Sequence, residues 1–136
     1  MKDAEAGNVA YAVRVKSTDT IAGTTRYYNV DAANRRAMIG YTWYADAAKR
    51  TPVNTECKLL LLGKLFEQSN AIAAEFRTHY FNGASRAAIE IMGAKQDGIL
   101  RNHTIMPDGS LRDTVVYSIT AGEWPAVKNN LLSKYR

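Results

Sequence analysis

The chain has 136 residues, the length of one domain, and we take 1–136 as a single domain with a polar leader at 1–8. Hydrophobic residues make up 46% and charged residues 23%, a balance that excludes disordered and collagen-like classes. The longest apolar run, Leu59 to Leu62, is far shorter than the roughly 18 residues of a membrane span, so we expect no membrane partner. One cysteine, Cys57, and two histidines exclude an internal disulfide and leave too few ligands for a metal site.

Lysine and arginine number 18 against 13 acidic residues, so the formal net charge is 18 − 13 = +5. The basic residues are spread along the chain without a run of five, which argues against a nucleic-acid-binding arm. We therefore expect no nucleic-acid partner, and instead a few cations gathered around one anionic ligand. Residues 1–5 contain no apolar signal core, which predicts a cytoplasmic protein.

Three strands in a row are predicted in the first third of the chain. Residues 9–15 alternate apolar with small or basic side chains, the period of a half-buried strand. Further strands are predicted at about 20–29 and 37–44, and the short connections favour an antiparallel meander. The third strand is expected to place three side chains on one face: Ile39, Tyr41 and Trp43.

Helices and strands alternate in the middle of the chain. Residues 55–68 are rich in Leu, Lys and Glu and predict a helix, with Asn54 as its N-cap. Residues 72–76 alternate again and predict a fourth strand. A second helix is predicted at 82–92, ended by Gly93, and either Asn82 or Ser85 is suited to cap it.

The last part of the chain predicts a hairpin and a final helix. Strands are expected near 95–104 and 111–119, joined by a turn at Pro107-Asp108-Gly109. A helix from about Glu123 places four side chains on one face: Trp124, Val127, Leu131 and Tyr135. The predicted order is β-β-β-α-β-α-β-β-α, a mixed α/β (α+β) protein with a mainly antiparallel sheet and flanking helices.

The basic loop at 49–54 is the strongest candidate binding element found from the residues alone. It lies between a predicted strand and a helix N-terminus, where free backbone N–H groups and the helix dipole favour anions. Lys49, Arg50 and Lys58 add full positive charges. A solvated loop before a capped helix explains the same residues, so both interpretations stay open at this point.

Several blocks, taken in their order and spacing, resemble the GNAT superfamily of N-acetyltransferases. Within it they look like the branch that includes the ribosomal-protein N-terminal acetyltransferases. The resemblance extends from about Val9 to the C-terminus. The blocks are 39–43, 50–51, 53–62, 75–78, Asn82, 85–90, 93–94, Gly98, 108–109, 112–118 and 123–125.

The resemblance implies acetyl-CoA as cosubstrate and transfer of its acetyl group to an amine. In this fold the strand at 37–44 splays from the strand at 71–78. The pantetheine arm of the cofactor pairs with the strand at 37–44, and the loop at 49–54 receives the pyrophosphate. No metal is implied. The implied cofactor-binding residues are Tyr41, Thr42, Trp43, Lys49, Arg50, Thr51, Val53, Asn54, Thr55, Asn82, Ser85 and Arg86.

Four departures from the family pattern bear on activity. Pro52 stands where the pyrophosphate loop usually has glycine, Met38 stands where many relatives have glutamate, and Ile89 stands where a tyrosine often serves as the acid. Ser85 is the nearest hydroxyl and our candidate catalytic residue, although helix capping would explain it equally well. Finally, only about eight residues precede the strand at Val9, where complete members have a strand and usually two helices.

Two functional hypotheses follow. The leading one is an acetyl-CoA-dependent N-acetyltransferase that acts on the primary amine of a protein N-terminus or small molecule. The alternative is a degenerate, non-catalytic GNAT fold that serves as a CoA-binding or assembly module. The short N-terminus would leave the edge of the first strand unpaired, which predicts a homodimer.

We expect mainly structural roles for a few other polar residues. We expect Cys57 to be an inert core thiol and His79 to be a surface histidine, with a role as catalytic base as the alternative. His103 is given no role. The carboxylates Glu75, Glu90 and Asp113 are expected to pair with arginines.

Overall fold

A computed structural model of the protein describes residues 8–46 and 51–135, with only the backbone of Tyr41, Trp43 and Tyr135. The strands are β1 (Val9–Val15), β2 (Thr20–Asp31), β3 (Arg36–Tyr44), β4 (Ala73–His79), β5 (Lys95–Ile105) and β6 (Leu111–Thr120). The helices are α1 (Val53–Gly63), α2 (Gly83–Met92) and α3 (Trp124–Tyr135). A π-helical turn at 64–68 extends α1, and a 3-10 turn at 121–123 leads into α3.

The six strands form one sheet in the order β1-β2-β3-β4-β6-β5. Every neighbouring pair is antiparallel except β3 and β4, which are parallel. This exception follows from α1, because parallel neighbours need a long crossover connection and a helix supplies it. The predicted class, a mixed and mainly antiparallel sheet with helices, is confirmed. Within the described part of the chain, no helix is long and apolar enough to cross a membrane.

The core lies on one side of the sheet, which we call the helix face. All three helices contribute buried side chains there, among them Leu62, Met92 and Val127, and the strands contribute Phe76 and Tyr117. Because successive side chains of a strand point to opposite sides, the residues next to these on β4 and β6 lie on the other side of the sheet. We call that side the polar face, and its members include Glu75, Arg77, Thr114 and Ser118.

The three helices begin and end close to the predicted positions, with one error. α2 is capped by Asn82, whose side chain accepts a hydrogen bond from the Ser85 N–H at 3.0 Å, and it ends at Gly93 with φ of 117°. α1, in contrast, begins at Val53 after Pro52, so the predicted N-cap at Asn54 is wrong. Proline suits a helix start because its φ is already helical and it has no N–H to leave unpaired.

Candidate active site

A V-shaped gap opens in the middle of the sheet between β3 and β4. The two strands pair at only three positions, and the last pair is Met38 with Glu75. Beyond it, β3 stays bound to β2 as far as Tyr44, and β4 stays bound to β6 as far as His79. The outer neighbours therefore hold the two strands apart, and the gap matches the splay that the family resemblance implied. Among the described residues, the inner edges beyond Glu75 have no strand partner, which leaves backbone N–H and C=O groups available.

A β-bulge in β3 turns side chains at the gap toward α1. Two residue steps on β2, from Thr24 to Arg26, oppose three steps on β3, from Trp43 to Gly40. An extra residue shifts the alternation of side chains beyond it. The predicted period of two is therefore interrupted within β3. The predicted shared face of Ile39, Tyr41 and Trp43 lies outside the described residues, because the side chains of Tyr41 and Trp43 are not described.

Beyond the bulge, the side chains of Thr42 and Tyr44 contact β2 and α1. The hydroxyls of Thr42 and buried Thr25 share a hydrogen bond of 2.9 Å. The Tyr44 hydroxyl donates to Oδ1 of Asn54 at 2.9 Å, which ties the end of β3 to the first turn of α1. Burial raises the pKa of the Tyr44 phenol, so this hydroxyl remains a donor through the neutral range.

The N-terminus of α1 thus lies beside the open end of β3. Within the described part of the chain, no side chain caps this helix, and the Val53 N–H meets only the hydroxyl oxygen of Thr51, at 3.4 Å. The helix start also brings Asn54 and Thr55 into the first turn, whose N–H groups point away from the helix body. Such a start, with its partial positive charge, is suited to bind an anion next to the gap.

Two titratable side chains lie on α1 next to this start. The Lys58 ammonium is 3.5 Å from the Thr42 hydroxyl, and desolvation of the partly buried side chain lowers its pKa to about 8. Burial raises the pKa of the Cys57 thiol, which keeps it protonated and unreactive near neutral pH. The partial burial of Cys57 agrees with the expected inert thiol.

Asn82 and Ser85 follow β4 directly and begin α2. Of the two predicted caps, Asn82 is the one that serves, through its bond to the Ser85 N–H. The Ser85 hydroxyl is partly buried and makes no hydrogen bond within the described part of the chain. It is therefore free to meet a ligand at the end of the strand that borders the gap.

Arg86 is held by three hydrogen bonds within the protein. Its Nε donates to the Tyr117 hydroxyl at 3.1 Å, Nη1 donates to the Tyr80 carbonyl at 3.2 Å, and Nη2 donates to Oε1 of Gln96 at 3.4 Å. The guanidinium also stacks over the Tyr80 ring, 4.7 Å from its centre. These bonds use one N–H on each of the three nitrogens and give Arg86 a structural role. The phosphate contact that the resemblance implied stays a prediction.

The two histidines make hydrogen bonds that limit their chemistry. His79 Nδ1 accepts from the Phe81 N–H at 3.1 Å, so the neutral ring carries its proton on Nε2 and offers no free lone pair. This argues against His79 as a general base. His103 Nδ1 shares a hydrogen bond of 2.8 Å with the Thr114 hydroxyl, away from the gap.

The remaining predicted site residues fall outside what the structure describes. Lys49 and Arg50 lie between the two described segments, and for Tyr41 and Trp43 only the backbone is described. The described members that border the gap or begin the helices next to it are Thr42, Thr51, Val53, Asn54, Thr55, Asn82 and Ser85. Two arginines and one carboxylate lie at the closed end of the gap: Arg36, Arg77 and Glu75. None was predicted as part of a site, and Glu75 was expected only to pair with arginine. It does so with Arg36 and Arg77.

Two cavities, of about 660 and 350 Å³, lie on the helix face between α1 and the β1–β2 hairpin. Their walls include Tyr11 and Lys64 but no residue of β4 or α2. Because neither cavity includes a residue of β4 or α2, we do not count them in the candidate active site, although Arg36 of β3 lines the smaller one.

The fold and the gap together define the class of protein. A model of the acetyltransferase (GNAT) domain matches residues 1–95. A Bacillus subtilis (strain 168) protein named as a ribosomal N-acetyltransferase, YdaF, is 28% identical over 109 residues, which are 80% of this chain and 58% of that protein. The chain belongs to the GNAT acetyltransferase family.

Solved structures agree with this assignment. A GCN5-related N-acetyltransferase from Brucella melitensis is 30% identical, with a TM-score of 0.90 over 96% of this chain and 58% of that one. A structure described as an acetyltransferase from T. thermophilus is 34% identical, with a TM-score of 0.85 over 96% of this chain and 68% of that one. The chain thus spans about three fifths of the length of the curated relative that it matches.

Proposed function

We propose that the protein is an acetyl-CoA-dependent N-acetyltransferase that acetylates the primary amine of a protein N-terminus or a small molecule. The observation that carries the proposal is the gap that begins beyond Met38 and Glu75, together with the start of α1 at its side, which no described side chain caps. An anion site next to an unpaired strand edge suits acetyl-CoA, in which a diphosphate is linked to an arm that contains amide groups.

The residues at the gap fit acetyl-CoA in two respects. The unpaired backbone of β3 up to Tyr44 offers N–H and C=O groups that can pair with the amides of the pantetheine arm. The first turn of α1, with Asn54 held by Tyr44, offers N–H groups and a positive dipole to the diphosphate. Pro52 at the N-cap removes one donor from this set, so we expect the diphosphate to depend on Asn54 and Thr55.

The proposed chemistry is direct attack of the amine on the thioester carbonyl. The new C–N bond forms as the C–S bond breaks, the amine gives its proton to a base or a water molecule, and the departing thiolate takes up a proton. Holding both reactants in line within the gap supplies much of the rate, and backbone N–H groups at its edge polarise the carbonyl. Ser85, with its free hydroxyl, is our candidate for the proton donor.

The alternative is a non-catalytic GNAT fold that binds CoA or serves in assembly. Met38 and Ile89 favour it, because neither can carry out the acid–base roles that many relatives assign to these positions. The homodimer and the cytoplasmic location also stay predictions. β1 forms one edge of the described sheet, which is compatible with pairing between copies.

Calorimetric titration of the full chain with acetyl-CoA, followed by thiol release with a panel of amines, tests the proposal. We expect micromolar binding and turnover with at least one amine. Binding without turnover would support the alternative, and no binding at millimolar acetyl-CoA would rule out both the enzyme and any CoA-binding role, leaving only the assembly role. Ser85→Ala should lower kcat while leaving the Kd of acetyl-CoA within a few-fold, and Ser133→Ala on α3 is a matched control.

A further inference from the structure

The closed end of the gap holds a cluster of three charged residues, which we call the apex cluster: Arg36, Glu75 and Arg77. The Glu75 carboxylate is 9% exposed and is bound on both oxygens. Oε1 accepts from Nη2 of Arg36 at 3.0 Å, and Oε2 accepts from Nε of Arg77 at 2.7 Å. Two guanidiniums against one carboxylate leave the cluster with a net charge of +1.

Arg77 is the member that borders the gap. It lies two residues beyond Glu75 on β4, past the last position at which β3 and β4 pair, and on the same polar face. Its side chain is 29% exposed, and within the described part of the chain only Nε makes a hydrogen bond. The two terminal nitrogens are thus available to a ligand, while the bond to Glu75 fixes the plane of the guanidinium.

The strands that form the gap offer little to a cation. β3 and β4 carry one acidic residue between them, Glu75, and both of its oxygens are already bound. A cationic acceptor would therefore meet the uncompensated charge of Arg36 and Arg77 at the closed end. An acceptor with a carboxylate would instead gain a charge-assisted and bidentate contact, the geometry that arginine favours.

We propose that the acceptor is an amine with a carboxylate a few bonds from the reacting nitrogen, and that Arg77 receives this carboxylate. Glu75 acts as a positioning residue that orients Arg77. This inference rests on the proposed acetyl transfer, since it identifies the class of acceptor that enters the same gap. The positive charge of the apex cluster then selects among acceptors in addition to the shape of the gap, and it disfavours polyamines.

Two amidated dipeptides test the inference, because Gly-Asp-amide and Gly-Asn-amide have nearly the same shape and differ by one charge. We expect the protein to prefer the aspartyl peptide by about tenfold or more in kcat/KM, and to use spermidine poorly. Arg77→Gln should remove the preference without changing the Kd of acetyl-CoA. Arg14→Gln, which breaks an exposed ion pair with Asp19, is the matched control and should keep it.

Glu75→Gln separates positioning from simple stability. If Glu75 orients Arg77, this variant should raise the KM of the aspartyl peptide and reduce the Asp-to-Asn ratio of kcat/KM. Thermal melting of each variant shows whether it is folded. A loss of stability with an unchanged ratio would contradict the positioning role.

The outcomes distinguish this inference from the proposed function. Absence of acetyl-CoA binding would contradict the proposed function, whatever the peptides do. Turnover with equal use of both peptides, or a preference that survives Arg77→Gln, would overturn the inference alone. Calorimetric binding of the two peptides gives a readout without turnover: Arg77-dependent binding of the aspartyl peptide supports the inference, and equal binding of both peptides overturns it.

Discussion

Met38 and Glu75 are the last residues at which β3 and β4 pair, and this pair marks the closed end of the gap. The Glu75 side chain also binds Arg36 of β3 at 3.0 Å, so the two strands are joined by an ion pair where their backbone pairing stops. The same strands are held to β2 and β6 on their outer sides. The position of the gap is therefore set by backbone pairing, and its closed end is charged.

The bond between Tyr44 and Asn54 is expected to position the start of α1 for the cofactor. Tyr44→Phe removes the 2.9 Å hydrogen bond, and a net loss of about 0.5–1.5 kcal/mol corresponds to roughly a two- to tenfold rise in the Kd of acetyl-CoA. Calorimetric titration measures this change. Tyr11→Phe is the matched control, because its hydroxyl accepts from Lys64 beyond the other end of α1. Equal effects of the two variants would contradict a local role for Tyr44.

The partly buried Lys58 on α1 predicts a specific dependence of stability on pH. Burial lowers the pKa of Lys58 from 10.5 to about 8, so between these values the unfolded chain binds a proton that the folded chain does not. The contribution of Lys58 to the free energy of unfolding therefore rises from about pH 8 and levels off near 10.5. The full difference is at most about 3 kcal/mol. Below pH 8 both states are protonated and the penalty of burying the charge is complete.

Urea unfolding checks this pH dependence. The parent and Lys58→Met are compared at about pH 7 and about pH 9.5, on either side of the folded-state pKa. Lys58→Met should be more stable than the parent at the lower pH, and the difference should shrink at the higher pH. Burial raises the pKa of Cys57 and of Tyr27, which makes stability fall with pH in both proteins. Because the Lys58 charge also acts on the pKa of Cys57, both proteins are compared in a Cys57→Ala background, where their difference isolates Lys58. Lys16→Met, at an exposed lysine, should show no such change, and a pH-independent difference for Lys58→Met would contradict the burial of its charge.

The two glycines that flank α2 are expected to respond to alanine in opposite directions. Gly83 is in the first turn and nothing lies within 4 Å of an added Cβ, so Gly83→Ala should stabilise the fold by up to about 1 kcal/mol. Gly93 has φ of 117°, and a Cβ there would lie 3.1 Å from Cγ2 of Val127. Gly93→Ala should therefore destabilise it by more than about 1 kcal/mol. Thermal unfolding of both variants measures the contrast, and a neutral Gly93→Ala would contradict it.

The commitment of Arg86 to the protein predicts that stability and cofactor binding separate at this residue. Arg86→Gln loses the bonds to Tyr117 and to the Tyr80 carbonyl, so its Tm should fall. The Kd of acetyl-CoA should stay within about twofold of the parent, as measured by calorimetry. A Kd that rises for CoA but not for dephospho-CoA would instead assign Arg86 to the 3′-phosphate. Tyr117→Phe, which removes the same bond and a 2.6 Å bond to Glu90, is the control for stability alone.

Local sequence patterns were enough to predict the secondary structure and its order. The alternation in β1 and the spacing of Trp124, Val127 and Leu131 in α3 follow from burial of one face, and the structure buries these three side chains. The cap of α2 by Asn82 is equally local, since the acceptor and the Ser85 N–H are three residues apart. The same kind of prediction was wrong at Asn54, because Tyr44, ten residues away, takes the Asn54 oxygen.

The gap and its chemistry depended on contacts between distant residues. The β-bulge in β3 is a mismatch of register with β2, which no pattern within β3 alone reveals. The engagement of Arg86 by Tyr117 joins residues 31 apart, and that of Glu75 by Arg36 joins residues 39 apart. The family resemblance predicted the splay of β3 from β4. It also assigned Arg86 to a phosphate, whereas the structure shows hydrogen bonds from Arg86 to Tyr117, Tyr80 and Gln96.

The amino-acid sequence by itself determined the class of fold and the order of the elements, because burial periodicity and turn chemistry act over a few residues. The family was indicated separately, by the resemblance of blocks in their order and spacing. Only the tertiary structure decided where β3 and β4 part, which side chains of β3 meet α1, and which arginines remain available at the gap. The physical reason is that strand register and ion-pair choice are set by competition among distant partners. Both outcomes of this competition occur among the described residues: Arg77 makes a hydrogen bond through Nε alone, and Arg86 makes one through each of its three nitrogens.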